Sequence, residues 1–430
     1  MWTVEVFGIV RSSCSIDLVY RKSMRVFLSR DSKPEEIWRR NRLVVFFCAV
    51  LVFGGFTMVM SFLPLYLYEL GITEIAKNAL WSGILIAIAP LMASVLGPLW
   101  GSLADRYGLK SMVLRATLGV AISWVIFATA TQIWHLAIAR VICGLFGGYN
   151  ALLVPLISVG CPPEKLNQAV GSVTSVRIAS LAIGPLAGGL IADWIGVRST
   201  ATFTAAFVFL AAMLFLFVYQ IPSKNNIQGT IPEPLKLTAL LKESYLFKLF
   251  LLLFLVNFFD RGITPIISLM VIEFETPLSD VARIAGIILF GGAFASTVSS
   301  WWAGRQAVRW HPVWLLRIMA SASIFICVPL IFSSTNLELG FYRLLLGLSA
   351  GGILTATYLL GTSWIPSHSR SSGMALLTSG TLLGNALGPV AMGLLVSLGI
   401  RVALSTGILI FILLLWVAFT LKPLASFDRH

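Results

Sequence analysis

Apolar residues run along this chain in long blocks separated by short polar or charged breaks, without the two-residue alternation of a half-buried strand. A helix needs ~20 mainly apolar residues to cross the hydrocarbon core of a bilayer. Twelve blocks reach that length: residues 43–68, 80–103, 112–131, 133–156, 168–192, 200–220, 248–272, 283–304, 315–333, 337–362, 373–398 and 402–421. Glycine and proline interrupt several of them, as membrane helices tolerate. The pattern predicts an all-α membrane protein with twelve transmembrane helices.

The blocks fall into two sets. A polar stretch, 221–247, carries Pro222, Lys224, Asn225, Asn226, Gly229, Pro232 and Pro234 and reads as a linker, with a short surface helix at Leu235–Tyr245. It separates a bundle at 43–220 from one at 248–421, with tails at 1–42 and 422–430. The two sets repeat at an offset of about 203 residues. Arg140 and Gly144 recur as Arg343 and Gly347, each an arginine inside an apolar helix with a glycine four residues later. Gly101 and Arg106 recur as Gly304 and Arg309, and Gly196 and Arg198 as Gly399 and Arg401. The chain therefore reads as two copies of one six-helix unit, related by pseudo-symmetry.

Composition agrees: 58% of residues are hydrophobic and 11% charged, where a soluble domain has about a quarter charged. The net charge of +13 does not imply nucleic-acid binding. Most lysines and arginines lie in the tails or in breaks that follow even-numbered spans; Lys77, Arg198, Arg283 and Arg401 are the exceptions in the other breaks. That asymmetry is the positive-inside pattern and puts both termini in the cytoplasm. The basic segment 1–42 lacks a signal-peptide core, and Met24 offers an alternative start that would make 1–23 non-native. The five cysteines and four histidines are scattered, so neither a disulfide framework nor a metal site is expected, and no cofactor. Signatures of hydrolases, metallopeptidases and P-loop nucleotide binding are missing from the sequence, so it does not read as an enzyme.

Charges inside the spans mark the candidate chemistry. Arg140 and Arg343 sit in spans four and ten, Arg177 in span five, and Asp260 and Arg261 adjoin near the middle of span seven. Such residues are costly in a bilayer and line pathways or pair with one another. Asp260 is the one carboxylate placed deep in a span. It either binds a coupling proton whose affinity a nearby arginine tunes, forms a permanent ion pair, or touches substrate. Arg177 either attracts an anionic group or snorkels to the interface.

Gly101-Ser-Leu-Ala-Asp105-Arg106-Tyr-Gly108-Leu-Lys110 resembles the loop signature of the major facilitator superfamily, departing at Leu109 where a basic residue is usual. Its second copy, Gly304 to His311, has Val308 in place of the acid. The fourth-span stretch Leu136–Gly148 resembles that family's arginine motif. Ser180-Leu-Ala-Ile-Gly184-Pro185-Leu-Ala-Gly188-Gly189 resembles a fifth-span motif typical of its exporters, with Ser180 for the first glycine. The resemblance spans residues 42–421 and is strongest to the twelve-span drug:proton antiporter branch and its bacterial multidrug-resistance exporters. It implies that spans one, four, seven and ten line a midplane cavity, that Gly101, Asp105, Arg106, Gly108 and Lys110 form a cytoplasmic latch, and that Gly184, Pro185, Gly188 and Gly189 serve helix packing. The expected function is proton-coupled export of small amphiphilic compounds across a bacterial inner membrane by a monomer working by alternating access. The alternatives are a dedicated siderophore or metabolite exporter, an importer, and a non-transporting membrane receptor or scaffold.

Overall fold

The computed structural model describes residues 34–147, 149–158, 161–162, 165–219, 244–306, 310–365 and 370–421; among them there are helices and turns and no strand. Span one runs Pro34–Ala49, continues through a π-helical turn at Val50–Gly54 and then Gly55–Met60, and ends in the short helix Leu63–Glu69. Spans two to six are Ile75–Tyr107, Leu109–Ala128, Ile133–Phe146 with Tyr149–Ser158, Leu166–Ile195 and Val197–Phe217. Spans seven to twelve are Ser244–Glu273, Leu278–Gln306, Pro312–Ile331, Asn336–Trp364, Arg370–Val396 and Ile400–Thr420. Among the described residues, eleven helices are long and apolar enough to cross a bilayer. The fourth span falls short of that measure because Gly147 ends Ile133–Phe146 and a second helix continues from Tyr149. Twelve spans in two sets of six are the observed architecture.

Span one begins well before the hydropathy pattern does. Residues 34–42, assigned above to the tail, are helical. Proline suits the first helical position, and Glu35 and Glu36 favour the positive end of the helix dipole. Trp38 is buried and donates from Nε1 to the Ile157 carbonyl at 3.4 Å, docking this turn on the end of span four. Arginines at 39, 40 and 42 hide the turn from any hydropathy window. The segments 1–23 and 422–430, and most of Leu235–Tyr245, lie outside the described residues.

The turn glycines obey the repeat. Gly196, between spans five and six, has φ +83°, and Gly399, between spans eleven and twelve, has φ +119°, a conformation that a side chain strains. Packing inside each half also repeats. A methyl group at Gly144 would meet Met92 and Ala89 of span two, and one at Gly347 would strike the Gly292 backbone of span eight. The glycine of the arginine motif thus lets spans four and ten approach spans two and eight closely. Lipid gives apolar helices no hydrophobic reason to associate, so such close packing supplies the attraction.

The halves meet along two seams, span two on span eleven and span five on span eight. At the seams every close glycine approach between halves, among the described residues, lies toward the face that carries the turns after odd-numbered spans. A methyl at Gly83 would strike Pro389, one at Gly393 would meet Ala79, and one at Gly189 would meet Ala282. Toward the other face, a methyl at Gly171 of span five or Gly304 of span eight would meet nothing within 4 Å. Among the described residues, the glycine-mediated closure between the halves therefore lies at the odd-turn face.

Gly347→Leu should be felt as overpacking against span eight, a cost of ~1–3 kcal/mol or more. The expected readout is a lower melting temperature in detergent, whereas Gly304→Leu should leave it within a degree or two of the parent.

Candidate functional site

Span seven places the central carboxylate. Pro265 sits inside the helix and removes the donor for the Arg261 carbonyl. One residue earlier, the Thr264 hydroxyl donates to the Asp260 carbonyl at 3.1 Å. Phe259 packs edge-on to Phe411 of span twelve, with ring centroids 5.4 Å apart, fixing the rotation of the turn. Asp260 then faces span ten, where Arg343 donates from Nη2 to Oδ1 at 2.7 Å. The Arg343 side chain is 6% exposed and that of Asp260 30%. Arg343 lies flat against Gly292 of span eight, where a methyl group would come within 3.1 Å of its Nε and Cζ. Its Nε and Nη1 are buried with no hydrogen-bond partner among the described residues. Arg261 is half-buried and close enough to Asp260 to act on it electrostatically. The carboxylate is therefore bound by Arg343, with Arg261 next to it in the chain, and the more buried arginine has donors to spare.

Arg140, the repeat partner of Arg343, is satisfied differently. It is 1% exposed; Nε donates to the Leu85 carbonyl at 2.8 Å and Nη2 to the Ile86 carbonyl at 3.4 Å, both on span two. Nη1 lies 3.8 Å from the Cys143 sulfur, and the guanidinium carbon lies 5.3 Å from the Phe56 ring centroid. These partners all belong to the first half, and none is a carboxylate. The repeat explains why: 203 residues before Asp260 stands Thr57, whose hydroxyl bonds the Phe53 and Gly54 carbonyls of its own helix. Arg177, on span five, lies 6.0 Å from the Phe53 ring centroid in the π-helical turn of span one. The structure thus joins Asp260, Arg343 and Arg261, and places Arg140 and Arg177 in other surroundings.

The exporter-type motif of span five works on both of its sides. Gly184 and Gly188 bring span five against Thr57, Gly54 and Met58 of span one. Pro185 and Gly189 face span eight of the other half, where the Pro185 carbonyl would lie 2.6 Å from a methyl on Gly286. At the even-turn face Gly108 has φ +86°, Arg106 is exposed beside Tyr107, and Lys110 donates to the Tyr219 carbonyl at 2.7 Å, tying the start of span three to the end of span six. The surroundings of Gly101 and Asp105 lie outside the described side chains, as do Val308 and Arg309.

Several residues that join the halves escaped sequence reasoning. Ser268 of span seven donates to the Ser61 carbonyl at 2.9 Å, where span one breaks before Pro64. Arg283 of span eight reaches Asp193 of span five at 3.4 Å and Asp280 at 2.8 Å. Neither contact joins repeat-related positions, so the 203-residue offset carries no signal for them. An apolar groove of about 520 Å³ is lined by residues such as Leu43, Phe47, Val50, Val176 and Leu214 of spans one, five and six, and it shares no residue with the charged cluster.

The sequence matches the family profile described as Major Facilitator Superfamily over residues 45–336 and again over 249–429. It is 33% identical over 327 residues to the multidrug resistance protein MdtG of Escherichia coli, covering 75% of this chain and 79% of that one. It is 30% identical over 359 residues to MdtG of Klebsiella pneumoniae, covering 82% and 86%. Among solved structures, a bacterial homolog of the human lysosomal transporter Spinster, inward-facing and unoccupied, superposes with a TM-score of 0.75 at 16% identity over 90% of this chain and 97% of that one.

Removing one member of a buried ion pair costs up to ~3 kcal/mol here, the low end for such pairs because Asp260 is partly exposed. Asp260→Asn should accordingly lower the melting temperature, and Asp260→Asn with Arg343→Met should recover part of the loss. A double variant that is simply the sum of two independent losses would show that the 2.7 Å contact carries no coupling.

Proposed function

The chain belongs to the major facilitator superfamily, and we propose that it works as a proton-coupled exporter of small amphiphilic compounds, opening alternately at its two faces. It is a multi-pass membrane protein and a secondary transporter of the multidrug-efflux type, not an enzyme. The relatives named for multidrug resistance, at 30% identity and above over three quarters of the chain, support the cargo class. The charge asymmetry of the breaks supports an even-turn face in the cytoplasm, with both termini there, in a bacterial inner membrane. On that orientation the face closed by the glycine seams is the outer one, which supports reading the conformation as inward-facing.

The observation that carries the coupling is the Asp260–Arg343 contact between spans seven and ten. Asp260 is open enough to meet water or substrate, and Arg343 is buried enough that its charge must always be answered. When Asp260 takes a proton it gives up its hold on Arg343; when the rearrangement of the cycle re-forms the pair, the proton leaves. A carboxylate that alternates between a proton and an arginine couples proton movement to that rearrangement. Arg261 is the second cation of this turn of span seven. Arg177 lies on the cytoplasmic half of span five, where it meets anionic headgroups or cargo. Asp105, Arg106, Gly108 and Lys110, with Gly101 for the close helix approach, form the latch that closes the cytoplasmic face in the outward-facing state. The working unit is a monomer, with substrate, protons and the bilayer as its partners.

A second reading, a dedicated exporter of an anionic or zwitterionic metabolite, is favoured by the unpartnered Nε and Nη1 of Arg343 beside the half-buried Arg261. These are donors for a carboxylate and have no use for a cationic drug.

Vesicles holding the purified protein test the proposal. An imposed proton gradient should drive accumulation of at least one compound from a panel of cationic, neutral and anionic amphiphiles, and collapsing the gradient should stop it. Uphill transport that ignores the gradient would sink proton coupling, and an anion-only panel response would select the second reading. Asp105→Asn should cut the initial rate severalfold at unchanged expression and melting temperature; an unchanged rate would remove the latch.

A further inference from the structure

Arg140 is buried in the first half with no acid among its described partners, and the two carbonyls it binds are not arbitrary ones. In an unbroken helix the Ile86 carbonyl accepts from the N–H of residue 90. Residue 90 is proline, inside the continuous helix Ile75–Tyr107. Proline has no N–H, and its ring crowds the carbonyl four residues back, so the helix cannot serve that carbonyl from within. Arg140 donates to it at 3.4 Å and to the adjacent Leu85 carbonyl at 2.8 Å. In hydrocarbon an unanswered carbonyl is expensive, and the guanidinium answers the one at Ile86 while adding a second donor to the Leu85 carbonyl.

The second half is the internal control. The position 203 residues after Pro90 is Ala293, which keeps its N–H. Span eight therefore has no proline-freed carbonyl there, and Arg343 turns instead to Asp260. Where the helix offers a free carbonyl the arginine binds backbone, and where it does not the arginine binds a carboxylate.

Span two is also a helix whose placement matters. Beyond Pro90, toward the odd-turn face, Ala79 and Gly83 form the seam with Gly393 and Pro389 of span eleven, with no room even for a methyl group. We propose that Arg140 is a positioning residue: by binding the Ile86 carbonyl freed by Pro90, together with the adjacent Leu85 carbonyl, it fixes the direction of span two and so holds the odd-turn face shut against span eleven. Arg140 handles neither the coupling proton nor the cargo. The flux readout below rests on the transport reading; the distance and accumulation readouts do not.

The test is suppression. Arg140→Met should reduce transport on the order of tenfold, the scale of one unmade buried hydrogen bond. It should also lengthen or broaden the distance between spin labels on Lys77 and Ser397, both exposed at the odd-turn face, in a background with the native cysteines replaced. Adding Pro90→Ala returns an N–H to the Ile86 carbonyl, so the double variant should regain most of the transport and the parental label distance. Pro90→Ala should do nothing for Arg343→Met. If Arg140→Met fails to accumulate in the membrane, recovery of accumulation by Pro90→Ala supports the proposal and equal failure overturns it. Loss of transport at an unchanged label distance, or a double variant no better than the single one, would assign Arg140 to proton or substrate handling and overturn the positioning role.

Discussion

A guanidinium in the hydrocarbon core carries five N–H donors and a charge it does not give up, with no bulk water to answer either. This chain contains two such groups at repeat-related positions, and much of the surrounding structure provides for them. Around Arg140 the answer is fixed: backbone carbonyls of span two, an aromatic face and a thiol. Around Arg343 the answer is one carboxylate that is itself partly open. The first arrangement has no group that changes charge on taking a proton at neutral pH. The second does, and it lies between spans seven and ten. The two halves share a fold and divide the labour, one holding geometry and the other holding an exchangeable charge.

Glycine makes that division usable. The same residues that let helices pack without side chains between them also let the halves close at one face, through Gly83, Gly189, Gly286 and Gly393. Flat backbone contacts of this kind form and separate without unthreading long side chains. They are reinforced at the rim by Arg283 between Asp193 and Asp280, a contact exposed enough to break cheaply. The span-five motif joins the two functions, with one side against span one beside Thr57 and the other against span eight.

Much of this was legible in the sequence. Twelve apolar blocks, a 203-residue repeat and the motifs of Gly101–Lys110 and Ser180–Gly189 led to the fold and family, because membrane helices declare themselves by length and composition. The first turns of span one did not, since three arginines and a buried tryptophan give no apolar average. The break of span four at Gly147 was not read either, because glycines such as Gly147 and Gly148 also occur inside unbroken membrane helices. Charged residues inside spans were identifiable one by one, but their pairing was not. Asp260 and Arg261 were visible as neighbours in span seven, yet Arg343 could be matched to Asp260 only once spans seven and ten lay side by side. For Arg140 the positioning role proposed above turns on Pro90, which lies on another helix and fifty residues away in sequence.

The central claim is that Asp260 is ionised while it holds Arg343 and gains or loses its proton as that hold changes. The most direct measurement is the proton stoichiometry of substrate binding to purified protein in weakly buffered detergent solution, followed with a pH indicator. Binding to the native protein should change the number of bound protons by close to one over some interval of pH. Asp260→Asn should bind the same compound with no such change. An equal change in both proteins, or tight binding to the native protein with no change at any pH, would contradict the account.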